Sequence, residues 1–382
     1  MDELAASLTE YVDRTRDAQI ELLRSLVLAE SPSLVPAAQQ EVLSLLHAEL
    51  KDLDFEVEQI PGDQTGGHLL GRTRSAHGDG TQLLIGHCDT VWPLGTLERR
   101  PVDIRDGRMT GPGVYDMKAG LTQIIFALRA LRDLGVSPAH QPVVFINSDE
   151  EIGSRESKEH IWRLAREVDR ALIMEPSLGP SGKLKTARKG VGRFTLRVKG
   201  RAAHAGLDPE AGASAILELS FLIQKLFALN DPEKGVTVNV GMIDGGLRPN
   251  VVAPESSASV DVRVLRQEDV AEIEAAIHGL EPSTPGVEVE IDGRIGRPPL
   301  ELNSRNRALW ELARGCGAAL GLDLSEGTAG GGSDGNHTSP HTATLDGLGP
   351  VGDGAHAEHE YIELGPTVAR TALLALMLAR AT

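Results

Sequence analysis

Apolar residues recur at helical spacing over residues 4–28 and 36–53, with leucine and alanine carrying most of the pattern. The pattern then shortens into brief apolar runs at 55–59, 82–85, 143–147 and 171–174, which read as strands. Between the middle pair lies a helical stretch over 117–134, closed by Gly135. Strands separated by helices predict an α/β fold around a mainly parallel sheet.

Near Lys189 the periodicity changes. "VGRFTLRVKG" alternates at period two, "AGASAILELSFLIQKLFAL" is a long amphipathic helix, and "GVTVNVGMI" and "SASVDVRVL" alternate again. "QEDVAEIEAAIHGL" then reads as a helix and "GVEVEIDGRIG" as a final strand. The order is β-α-β-β-α-β, the ferredoxin-like split motif. Residues 302–382 return to helices and glycine-rich loops and end in "TVARTALLALMLAR". The expectation is a discontinuous α/β domain, 1–188 with 302–382, interrupted by an inserted α+β domain at 189–301. A chain of 382 residues is long enough for two cores.

Charge and cysteine content narrow the function classes. The net charge is −17, which disfavours nonspecific nucleic-acid binding and docking on anionic membranes. Two cysteines, Cys88 and Cys316, make neither a disulfide framework nor a thiolate zinc site. The N-terminal stretch lacks a basic segment followed by an apolar one, and no run approaches a membrane span. A soluble cytoplasmic protein is expected.

The candidate chemistry collects just past the predicted strands. "LLIGHCDT" offers His87 and Asp89, "GPGVYDMKAG" offers Asp116, "FINSDEE" offers Glu150 and Glu151, and "LIMEP" offers Glu175. Singly, each has an ordinary reading: Asp116 as a helix N-cap, the paired glutamates as a solvated helix start, Glu175 as a turn residue. Together they bring one imidazole and several carboxylates to one edge of one sheet, where open α/β sheets bind ligands. Carboxylates so crowded repel one another unless cations neutralise them. Imidazole with carboxylates and no thiolate suits zinc, and could also hold manganese or cobalt.

These segments resemble the M20 family of co-catalytic zinc peptidases, and most nearly its carboxypeptidase G (glutamate carboxypeptidase) branch. The motifs "GHCDTV", "GPGVYDMKAG", "NSDEEIGS", "MEPS", "GRAAHAG", "GGGSDG" and "GAHAEHEYIEL" run in family order from about residue 20 to the end. The resemblance implies two zinc ions per subunit. His87 and Glu175 would serve one, Glu151 and a C-terminal histidine the other, with Asp116 bridging both. His356 fits the family spacing as that last ligand, with His359 as the alternative. Asp89 would accept the second ring N–H of His87 and fix its tautomer. A cis peptide after Asp116 is implied as well, and the inserted domain would act as a lid and join two subunits into a homodimer.

Two metals a few ångströms apart polarise a scissile carbonyl and activate a shared water. Glu150, beside the ligand Glu151 but not itself a ligand, would act as general base. The resemblance puts His204 near the developing oxyanion, often in a partner subunit's site. Asn250, Arg263 and Arg297 match positions that hold the free α-carboxylate in glutamate-releasing relatives, since a guanidinium grips a carboxylate with two parallel bonds. Gly331 and Gly332, in the 330–335 loop, would offer backbone N–H groups to the substrate, and Lys183 and Arg155 would add positive potential. The expected reaction is hydrolysis of the amide bond to a C-terminal amino acid in a small peptide or N-acyl amino acid. An aminoacylase is the rival enzyme. A non-catalytic binding protein of the same fold would be expected to lose the base or a ligand, and the chain has all of them. It lacks the G-x-S-x-G elbow of serine hydrolases.

Overall fold

The computed structural model describes residues 3–74 and 80–381. Two units separate by their internal contacts: Met1–Thr186 with Leu302–Ala329 and Ser333–Thr382, and Ala187–Glu301 with Gly330–Gly332.

The first unit is built on a six-stranded sheet in the order Phe55–Ile60, His68–Thr73, Gln141–Asn147, Thr81–His87, Arg170–Ile173, Ala343–Leu345. His68–Thr73 runs antiparallel to both neighbours, and the remaining joins are parallel. The sequence pattern does not announce His68–Thr73, because Gly71 interrupts its short apolar run. The parallel strands are apolar along their middles because both faces are covered. Leu84, Val144, Ile146 and Leu172 face one core, with Leu46, Leu121, Ile124 and Leu373 from helices. Leu83, Ile85, Val143, Phe145, Ala171 and Ile173 face the other, against Ile161 and Leu164. Each buried Leu, Ile, Val or Phe side chain is worth about 1.5–3 kcal/mol, which fixes the register and hence where every strand ends.

Two helical boundaries differ from the periodicity. The stretch over 4–28 is two helices, Glu3–Arg14 and Arg16–Leu28. Thr15 breaks them, its hydroxyl donating back to the Tyr11 carbonyl at 2.9 Å, an alternative to continued helix that threonine offers. The helix expected from 117 begins at Ala119, because Val114–Lys118 forms a wider turn in which Asp116 and Met117 have non-helical backbone angles. The Asp116–Met117 peptide is cis. Gly120, in the first turn of Ala119–Asp133, lets that helix close on the strand-end loop: a Cβ there would meet the Met174 carbonyl.

In the second unit the elements run Gly190–Lys199, helix Ala215–Phe227, Thr237–Gly245, Glu255–Val264, helix Gln267–His278 and Glu288–Arg297. The four strands form an antiparallel sheet in the order Thr237–Gly245, Glu255–Val264, Gly190–Lys199, Glu288–Arg297. Alternate residues such as Phe194, Leu196, Val198, Val260 and Val262 turn inward to meet Leu219, Leu222 and Ile273 of the two helices. The edge strand and the loop beyond it leave Met242, Ile243 and Leu247 exposed, and the outer face of Ala215–Phe227 leaves Ile216, Leu217, Phe221 and Phe227 exposed.

Candidate metal centre

Parallel pairing brings the carboxyl ends of three strands side by side: His87 pairs with Asn147, and Ile85 with Ile173. His87 is the last residue of its strand, Glu150 and Glu151 open the short helical turn Glu150–Ile152 beyond Asn147, and Glu175 follows Ile173 by two positions. Asp116 comes from the wide turn before Ala119–Asp133. His356 comes from a loop near the C-terminus, in a left-handed conformation with φ 61°.

The side chains converge. His87 Nε2 lies 3.2 Å from Asp116 Oδ1 and 3.5 Å from Glu175 Oε1. His356 Nε2 lies 3.5 Å from Asp116 Oδ2 and 3.0 Å from Glu151 Oε2. Each Asp116 oxygen therefore faces a different histidine. Donor atoms of His87, Glu150 and Glu175, and of His87, Asp116 and Glu151, approach within 4.8 Å of one another, so either set could hold a metal ion. Of the two C-terminal histidines, His356 is the one that reaches the carboxylates.

The electrostatics describe a site that attracts cations. Burial, then the neighbouring charge of Asp116, pushes the Glu151 carboxyl up to about 7. Burial would raise Asp116 too, but hydrogen bonds from His356 and His87 drive it far below the usual carboxylate range. His356 is pushed up to about 11 by its bonds to Asp116 and Glu151. His87 is also raised, its bonds to Asp116, Asp89 and Glu175 outweighing its burial. Both histidines thus hold protons where a divalent cation would neutralise the same carboxylates. Two imidazoles and oxygen donors without thiolate are the donor chemistry of zinc, manganese or cobalt.

Asp89 is fully buried behind His87. The His87 Nδ1 is nearer to the Asp89 backbone carbonyl, at 3.0 Å, than to its carboxylate, at 3.4 Å. The carboxylate itself accepts the backbone N–H groups of Glu150 and Glu151, both at 3.2 Å, and the Ser33 hydroxyl at 2.7 Å. Sequence reading passed over Ser33 and Asp334. The buried Asp334 accepts from Asn147 and from the Ser154 hydroxyl, bracing both ends of the loop that carries the paired glutamates. These partners lie 56 to 187 positions away in sequence, so no local pattern marks them.

The expected substrate residues do not gather at one place in the second unit. His204 and Asn250 lie together, exposed: His204 forms a bridge with Val251, and its Nδ1 accepts from the N–H groups of Gly206 and Leu207. Arg263 and Arg297 flank Val191 at the other end of the same sheet, whereas the His204 loop follows Lys199, paired with Glu255. Eight residues of strand separate the ends, about 26 Å at strand rise. Within one copy of this unit, Asn250 therefore lies toward the opposite end of the sheet from Arg263 and Arg297. Arg263 already meets Asp261 with two bonds, at 2.8 and 3.0 Å. Gly331 and Gly332 present carbonyl oxygens to Arg188, at 3.1 and 3.2 Å, and Gly332 packs near Arg297. Lys183 and Arg155 are exposed.

The chain is 30% identical over 338 residues to carboxypeptidase G2 of Pseudomonas sp. (strain RS-16), covering 84% of this chain and 79% of that protein. It is 30% identical over 267 residues to acetylornithine deacetylase of Erwinia tasmaniensis, covering 64% and 67%. Its fold resembles the crystal structure of aminopeptidase PepT from Bacillus cereus, with TM-score 0.78 and 21% identity over 95% of this chain and 98% of that one. Residues 83–380 match peptidase family M20/M25/M40, and the chain is a hydrolytic enzyme of that family.

Proposed function

We propose that the enzyme is a dinuclear zinc hydrolase that cleaves the amide bond to a C-terminal amino acid bearing a free carboxylate. One observation carries the reading: the two Asp116 oxygens face two different histidines, each accompanied by its own glutamate. His87 and Glu175 would hold one cation, Glu151 and His356 the other, and Asp116 both. When bound, the cations polarise the scissile carbonyl and acidify a water. Glu150, buried beside His87 and Glu175, takes the proton from that water and returns it to the leaving amine. Asp89 orients His87 and holds the loop of Glu150. His204 donates to the developing oxyanion.

The name of the Pseudomonas relative supports release of a C-terminal amino acid, and the resemblance to the glutamate carboxypeptidase branch points to glutamate, with the α-carboxylate met by Arg297 and, once released from Asp261, Arg263. The name of the Erwinia relative supports a deacylase as the second reading. The exposed apolar edge and helix face of the inserted unit support a homodimer, in which His204 and Asn250 serve the partner's centre. Metal analysis of the purified enzyme, combined with a panel of N-acylglutamates and N-acetylated amino acids, tests the proposal. Two equivalents of zinc with glutamate release are expected. Hydrolysis of small N-acetyl substrates alone would favour the deacylase, and turnover undiminished by chelation would overturn both.

A further inference from the structure

Glu360 is fully buried, and its two oxygens receive four N–H donors. Oε1 accepts from the backbone of Tyr115 at 2.9 Å and of Asp116 at 3.1 Å. Oε2 accepts from the backbone of Gly113 at 3.0 Å and from the Trp92 indole at 2.9 Å. The Arg100 guanidinium lies 4.3 Å from the centre of that indole ring. One carboxylate thus takes three backbone N–H groups of the Gly113–Asp116 turn. Because every partner is an N–H, both oxygens act only as acceptors, the arrangement in which a carboxylate binds backbone amides most strongly.

Connectivity gives this contact its reach. Glu360 lies four residues beyond His356 and immediately before strand Tyr361–Glu363, which pairs antiparallel with Arg108–Thr110, the strand leading into the Asp116 turn. The bond from the Asp116 amide to Glu360 spans 244 positions of sequence. The segment that carries His356 and the turn that carries Asp116 are thus joined twice, by strand pairing and by this carboxylate. We propose that Glu360 is a positioning residue of the metal centre. Its carboxylate sets the Gly113–Asp116 turn and holds the His356 segment to it, so that the two Asp116 oxygens face both histidines. This rests on the reading of Asp116 and His356 as metal ligands.

The test uses the full chain with Glu360→Gln, which keeps the size of the side chain but turns an N–H₂ toward backbone donors. Glu363→Gln, which removes only the surface ion pair with Arg108, is the control. In the metal-free protein, Glu360→Gln is expected to lose hydrogen-exchange protection at the amides of Gly113, Tyr115 and Asp116. On cobalt titration it should bind the ion about 10–100-fold more weakly, with a changed visible spectrum, and kcat should fall while KM holds. Glu363→Gln should match the wild type. Should Glu360→Gln not fold, Glu360→Asp, which keeps the charge but draws both oxygens back, is read in the same way. Unchanged protection at the three amides overturns the proposal, as does unchanged cobalt affinity and spectrum. If the wild type binds no cobalt, the metallohydrolase reading falls instead, and exchange at the three amides alone decides the role of Glu360.

Discussion

The carboxylate of Asp89 accepts the backbone N–H of Glu150 at 3.2 Å, so a residue two positions past one strand holds the start of the loop past the next. The same carboxylate takes the amide of Glu151 and stands 3.4 Å from His87. Asp89→Asn swaps one acceptor oxygen for a donor facing these amides. The expected result is a loss of metal affinity or activity of about 10–100-fold. Competitive titration with a chelator measures it, and retention of wild-type affinity and turnover would exclude this role.

Glu150 and Glu151 are neighbours with separable roles. Glu150→Gln should leave metal content intact and lower kcat by about 10²–10⁴-fold. Glu151→Ala should lose one equivalent of metal. Elemental analysis beside steady-state kinetics checks both, and loss of metal in the Glu150 variant would reverse the assignment.

Metal binding should release protons. Below the raised values of His356, about 11, and Glu151, about 7, these groups hold protons that a cation must displace. Affinity therefore rises with pH, by about tenfold per pH unit for each proton displaced. His356 contributes stability to the metal-free protein below the ordinary imidazole range and loses it as pH climbs toward 11, so metal should stabilise most in alkaline solution. Calorimetry in buffers of differing ionisation enthalpy counts the protons, and a count of zero at neutral pH would contradict this account.

The exposed apolar strip on the inserted unit predicts its partner. Ile243→Glu places a charge on an exposed edge strand, and should convert a dimer to monomers. Light scattering reads the mass directly. A wild type that is monomeric at all concentrations would remove the dimer proposal.

Much of the first unit was legible because buried parallel strands must be apolar, and "LLIG", "VVFIN" and "ALIM" are. The acids past their ends then stood out against apolar surroundings. His68–Thr73 escaped because Gly71 breaks its pattern, and the break at Thr15 escaped because threonine occurs in helices as well as at their ends. The braces of the cluster, Ser33, Asp334 and Glu360, were illegible for a different reason. A buried acceptor is defined by donors that only the folded chain brings near, and theirs come from 56 to 244 positions away. The separation of Asn250 from the two arginines was illegible because motif order along the chain does not show that a strand puts its two ends far apart.

The cluster draws on strand ends, a turn and a loop that span residues 87 to 356. Such long-range pairings form late, because loop closure must precede them. During synthesis, His87, Asp116, Glu151 and Glu175 all emerge well before His356. A nascent chain could therefore offer one histidine-carboxylate set to a passing cation while lacking the other. Full occupancy would be a sign of completed folding, and the enzyme would acquire its chemistry in one step, when its last segment docks.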